Sequence, residues 1–103
     1  GWGYAYAASK AAITRMVGVL AVEYAETDLR FFNVEPGFVM TEAMHLNDPD
    51  GELSKRMAGA PPAAPAAVIA WLATNPEADT WKGQTVSAQP LCLKLGLIPD
   101  WRE

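Results

Sequence analysis

Tyr6 and Lys10 stand four residues apart in Tyr6-Ala7-Ala8-Ser9-Lys10. On a helix that spacing puts both side chains on one face, so the ammonium can approach the phenol oxygen. A free phenol holds its proton at neutral pH and is a poor base. A nearby cation favours the phenolate, and a phenol so placed can serve as a general acid and base. Tyr4 is six residues from Lys10 and points elsewhere, so geometry selects Tyr6. Taken alone, the pair also fits an ordinary solvated helix face, because a Tyr and a Lys at this spacing often occur by chance. The second candidate is Asn33-Val34-Glu35-Pro36-Gly37-Phe38-Val39-Met40-Thr41. It runs a strand into a Pro-Gly turn with a hydroxyl just beyond. Pro fixes φ and Gly accepts a positive φ, so Pro36-Gly37 is a tight turn whatever else it does. Thr41 before Glu42 is suited to capping a helix.

Other reactive side chains are poorer candidates. His45 stands alone, without the Cys, His or spaced carboxylates that build a metal site, so no metal is expected. Asp48 and Asp50 near Gly51 suggest a calcium loop, but Leu46 falls at the first ligand position and the pattern fails. Both are read as solvated. Cys92 lies in an apolar run and reads as buried. Trp2, Trp71, Trp81 and Trp101 read as core or interface, with Trp2 also able to line a pocket mouth.

These residues need elements to position them. Residues 4–26 read as one long helix, with Ile13, Val17, Leu20 and Tyr24 on an apolar stripe. Ala7, Ala8, Ala11, Ala12, Ala21 and Ala25 favour the helix and admit a close neighbour. Met16 and Val19 lie off the stripe, so the helix is apolar around much of its girth and is expected to be buried on more than one side. Gly18 inside it suggests close packing. Thr27 and Asp28 break the pattern, and residues 30–34 lean to strand. Residues 39–60 read as irregular, with short helices at 42–46 and 52–58. Pro61, Pro62 and Pro65 lead into a helix over 66–74, closed by Asn75-Pro76. A strand is expected over 84–88, after Gly83. Residues 89–103 read as an apolar tail without a period.

Strand, helix, strand is a crossover unit that pairs parallel strands. Two strands do not hold a sheet by themselves. The long helix also finds too little here to bury it. Both points lead us to expect a larger partner structure.

Composition bounds the class. The 103 residues suffice for one small domain, and half of them are hydrophobic. The formal charge of -4 argues mildly against nucleic acid. Cys92 is the single cysteine, which allows no internal disulfide. With no secretory leader read in the chain, a cytoplasmic setting is the default. No apolar run is read as approaching the ~20 residues of a bilayer-spanning helix, so no membrane association is expected.

As a set, Tyr6-x-x-x-Lys10 with Ser9 before the Lys, Leu20-Ala21-Val22-Glu23, Leu29 to Val34, Pro36-Gly37 with Thr41, and Gly83-Gln84-Thr85-Val86 resemble the short-chain dehydrogenase/reductase family. The resemblance covers about residues 4–88. It implies an α/β fold, the C-terminal part of a Rossmann-type doubly wound parallel sheet: long helix, strand, lid loop, helix, strand. All of 1–103 would be one portion of a single dinucleotide-binding domain. It further implies interconversion of an alcohol and a carbonyl with NAD or NADP, the nicotinamide carrying the hydride. Tyr6 would exchange a proton with the substrate oxygen. Lys10 would favour the phenolate and hold the nicotinamide ribose. Backbone after Pro36-Gly37 would lie beside the nicotinamide, with the Val39 main chain on the carboxamide and Thr41 bonding it through its hydroxyl or making a phosphate contact. Asn33 is assigned support. The partners implied are a small-molecule substrate and, when intact, a second copy or three in a homo-dimer or homo-tetramer.

Two departures stand beside the resemblance. The family's glycine-rich turn, which admits the pyrophosphate, has no counterpart in the five residues before Tyr6, nor has its substrate-holding Ser. The family's paired glycines after the last strand are replaced by Gln89-Pro90. Two other readings stay open. Epimerases and dehydratases also carry Tyr-x-x-x-Lys, although Asn33, Pro36-Gly37 and Thr41 fit the shorter dehydrogenase branch better. Alternatively, the chain is a non-catalytic piece whose helix only packs against a partner.

Overall fold

The computed structural model describes residues 3–57 and 59–102. Trp2, for which a pocket-mouth role was expected, lies outside the described residues, as does Ala58 at the end of the expected 52–58 helix. The element order is α1 (Tyr4–Glu23), β1 (Asn33–Glu35), α2 (Glu42–Asn47), α3 (Glu52–Met57), α4 (Ala63–Thr74), a 3₁₀ helix (Pro76–Trp81), β2 (Thr85–Ser87) and α5 (Ala88–Leu95). β1 and β2 form a parallel two-stranded sheet, so the chain is α/β, with helices predominating. It divides into two compact units: residues 1–33 with 76–86, and residues 34–75 with 87–103.

The first unit is built on α1, 20 residues long. Its alanines favour the helix, and only Gly18 carries a propensity cost. Beyond the last turn, Thr27 stops the chain from continuing as helix. Its Oγ1 donates to the Tyr24 carbonyl at 2.7 Å and accepts from Leu29 N at 3.2 Å. The chain then runs extended. Phe31 O accepts from Gly83 N at 2.8 Å, and Asn33 N donates to Gln84 O at 3.0 Å. Backbone bonding to the Gly83 segment thus starts at Phe31, but β1 itself begins at Asn33, three residues later than the β-leaning composition predicts. Asn33 Nδ2 donates to Thr14 O at 2.9 Å, which ties β1 to α1. Gly83 has φ +73°, and a Cβ there would stand 3.1 Å from Ala21 Cβ. Ala21 and Gly83 thus let backbone and helix approach, as the small residues suggest.

Two expectations for α1 are corrected. It buries none of its residues, although its girth is apolar: Ile13, Met16, Val19 and Val22 are all exposed. Among the described residues of this unit only Ala78 and Val86 are buried, so they offer few apolar side chains with which to surround a helix. Gly18 faces no second backbone at close range. The nearest atom to a Cβ there is Arg15 Nη1 of the same helix, at 2.7 Å. In addition, α1 is long and apolar enough, by length and composition, to cross a membrane. A search for unbroken apolar runs misses this, because Lys10 and Arg15 interrupt an otherwise Ala-rich stretch without lowering its mean hydropathy far. Core helices of water-soluble proteins meet the same criterion.

The second unit holds most of the buried side chains. Met40, Ala60, Ala64, Val68, Leu72, Ala88, Leu91 and Cys92 form its core, and α4 packs on α5. α4 begins at Ala63, three residues before the expected start, with Pro65 buried in its first turn. Pro is accommodated there because first-turn N–H groups have no intrahelical acceptor. Residues 89–95, expected as an aperiodic tail, are helical. α5 ends on Gly96 in the left-handed region, φ 60°, with Leu97 N donating to Cys92 O at 3.1 Å. This is a glycine helix stop. The signal was Leu91, Cys92 and Leu95 at helical spacing before Gly96.

Smaller corrections concern single residues. Asp48 is half-buried, and its Oδ1 accepts from Leu53 N at 3.0 Å, anchoring the entry to α3. Of the two readings for Trp71, Trp81 and Trp101, core or interface, the first does not hold, since all three are half-buried. Broad rings on so small a body cannot all be enclosed.

Candidate functional site

Tyr6 and Lys10 lie on the first turns of α1 and share a face. Lys10 Nζ is 5.6 Å from the centroid of the Tyr6 ring. Ser9 Oγ donates to Tyr6 O at 2.7 Å and Thr14 Oγ1 to Lys10 O at 2.9 Å, so both hydroxyls are folded onto their own helix. Tyr6 is 49 % exposed, which leaves its phenol open to a reactant. Asn33 and Thr14 fix the helix at mid-length by the bond described above. Thr14, Arg15, Gly18, Asn33, Gly83 and Thr85 line an open groove of about 450 Å³ beside it. Among the described residues there is no group of three His, Cys, Asp or Glu able to hold a metal ion. His45 is exposed in α2.

The turn residues belong to the second unit. Gly37 has φ +71°, the left-handed conformation that a Pro-Gly turn asks of its glycine. Val39 then bridges Ala60 in the parallel sense, through the residues on either side of it: Ala60 N donates to Phe38 O at 2.9 Å and Met40 N to Ala60 O at 2.8 Å. Because both bonds go to Ala60 from the flanking residues, Val39 turns its N–H and C=O to the opposite side. The carbonyl accepts from Thr41 N at 3.1 Å. The Val39 N–H has no backbone partner among the described residues. Thr41 Oγ1 accepts from Met44 N at 3.3 Å and caps α2. A hydroxyl has one donor besides its acceptor lone pairs, so the capping Thr41 can still donate. The turn therefore presents two hydrogen-bond donors, one main-chain and one hydroxyl, two residues apart.

The sequence-derived residues form two groups. Tyr6 and Lys10 come together on α1; Pro36, Gly37, Val39 and Thr41 come together at the turn. One residue tied to the turn was missed. Gln89, in the first turn of α5, is buried, and its Nε2 donates to Pro36 O at 3.1 Å and Phe38 O at 2.9 Å. More than fifty residues separate these partners, and no local pattern signals such a contact.

Residues 1–51 match the family model described as short chain dehydrogenase. The match includes Tyr6, Lys10 and the whole Pro36–Thr41 turn, and it stops well before residue 88, to which the motif resemblance extends. Comparison with the curated proteins gives no match, and comparison with the solved structures gives none.

Proposed function

Because the chain belongs, through residues 1–51, to the short chain dehydrogenase family, we propose that it contributes the acid/base and nicotinamide-side residues of an oxidoreductase that interconverts an alcohol and a carbonyl. The family is an oxidoreductase family and generally uses NAD or NADP. The observation that carries this reading is the shared face of Tyr6 and Lys10, with the phenol exposed.

The donor set at the turn suits a nicotinamide. A carboxamide needs a donor for its oxygen, and Val39 N–H, turned away from Ala60, supplies one. Thr41 adds a hydroxyl donor for the same amide or for a phosphate oxygen. When bound, the dinucleotide supplies hydride chemistry that no side chain can. The protein's own part is the proton. In reduction, the Tyr6 O–H bond breaks and its proton passes to the carbonyl oxygen of the substrate, leaving a phenolate beside the Lys10 ammonium. In oxidation, the phenolate takes the alcohol proton back. Lys10, with its Nζ 5.6 Å from the centroid of the Tyr6 ring, can also donate to a ribose hydroxyl. This reading places the Rossmann-type arrangement, the homo-oligomer and the cytoplasmic setting among its expectations.

Tyr6→Phe in the full-length protein tests it. Turnover of an alcohol panel with NAD or NADP, followed through reduced nicotinamide, should fall by about 10²–10⁴-fold while dinucleotide affinity is kept. The exposed apolar face of α1 favours one second reading, a piece that only packs against a partner. Unchanged turnover in Tyr6→Phe would select it.

A further inference from the structure

Gln89 makes three side-chain bonds with its amide. Nε2 donates to Pro36 O at 3.1 Å and to Phe38 O at 2.9 Å, and Oε1 accepts from Arg102 Nη2 at 2.7 Å. The partners fix which end of the amide is which: two carbonyls require donors and a guanidinium requires an acceptor. The residue is only 9 % exposed, so these groups could not exchange their bonds for water without cost. Arg102 is itself placed by its neighbour, its guanidinium carbon standing 4.9 Å from the Trp101 ring centroid.

The two carbonyls flank Gly37. A Cβ at Gly37 would lie 2.6 Å from Gln89 Nε2 and 3.1 Å from its Cδ. The missing side chain at residue 37 is therefore what admits the amide between them. The further consequence lies in the Phe38–Val39 peptide group. Phe38 O accepts both Gln89 Nε2 and Ala60 N, at 2.9 Å each. A peptide group is planar, so a carbonyl held from two directions also fixes the N–H across the same bond. That N–H belongs to Val39.

We propose that Gln89, oriented by Arg102, is a positioning residue that aims the Val39 N–H at the nicotinamide carboxamide. The inference rests on the function proposed above and adds a residue beyond the matched 1–51 segment. Gln89→Glu is the sharpest variant. It keeps the volume and the acceptor for Arg102, but sets a carboxylate oxygen against two carbonyls.

The test compares NAD and NADP with ADP-ribose, which has the same adenylate and pyrophosphate but no nicotinamide, in the full-length protein. Gln89→Glu should weaken whichever dinucleotide binds by about tenfold, the scale of one or two lost hydrogen bonds, and leave ADP-ribose affinity unchanged. A merely structural role would weaken both ligands alike, and that result, or no change in either, overturns the proposal. Should Gln89→Glu not fold, Arg102→Met is used, with a smaller shift of about two- to threefold expected in the same ratio; an unchanged ratio again overturns it. If the wild type binds neither dinucleotide, the proposed function fails and the positioning role with it. If the wild type binds and the ratio does not move, only the positioning role fails.

Discussion

Helices α1 and α4 are both apolar, yet α4 buries Ala64, Pro65, Val68 and Leu72 while α1 buries no residue. The difference lies in what each unit places around its helix. α4 has α5 laid against it, and their side chains close a core with Met40 and Ala60. α1 has Gly83 at Ala21 and the Asn33 amide at Thr14, which are contacts of backbone and polar groups. An apolar sequence therefore says that a helix can be buried, and the neighbouring elements decide whether it is. The candidate chemistry is divided in the same way. Tyr6 and Lys10 sit on the exposed helix, where a reactant can reach them. The turn sits in the packed unit, where Gln89 and Ala60 hold its backbone.

Matched truncations in the two helices would break this comparison most directly. Leu72→Ala should cost about 2–5 kcal/mol, because Leu72 is 2 % exposed and its removal leaves a cavity. Amide exchange in α4 and α5 should accelerate accordingly; protection equal to the wild type would show that the second unit is not held by this core.

Next in size is Gly37→Ala, at about 1–2 kcal/mol from the positive φ alone. The clash with Gln89 adds to that. Denaturant midpoints give the measure, and loss of protection should appear first at Met40 and Ala60. A neutral result would mean that the turn relaxes freely and that Gln89 does not grip it.

The smallest effect is expected in the first unit. Ile13→Ala should stay within about 0.5 kcal/mol, since Ile13 is 56 % exposed and Ala is the better helix former. A destabilisation as large as that of Leu72→Ala, read by the same exchange experiment in α1, would show that something covers Ile13 in solution. That outcome would sharpen the comparison into one between a helix buried by its own unit and a helix buried by a partner.

Much of the fold was legible in local sequence. α1, α2 and α3 follow their composition to within a few residues; Thr41 before Glu42 was a helix start on residue type alone, and its hydroxyl accepts from Met44 N. The Pro36-Gly37 turn was likewise set by the dihedral preferences of its two residues. Elements that depend on a partner were less legible. β1 begins where Gln84 supplies a carbonyl, three residues beyond the start of its β-leaning run. α5 was hidden because residues 89–103 show no clear apolar period, and Pro90 in its first turn forfeits no hydrogen bond.

By itself the sequence determined the α/β class, the shared face of Tyr6 and Lys10, and the turn with Val39 and Thr41 beyond it. Each follows from spacing within a few residues, where backbone geometry leaves little choice. Only the tertiary structure decided that α4 buries one face and α1 buries none. It alone placed Gln89 across the turn and turned the Val39 N–H away from Ala60. Those features join residues from about twenty to more than fifty positions apart, and no periodicity encodes them. They depend on which carbonyls remain to be satisfied once the chain has packed.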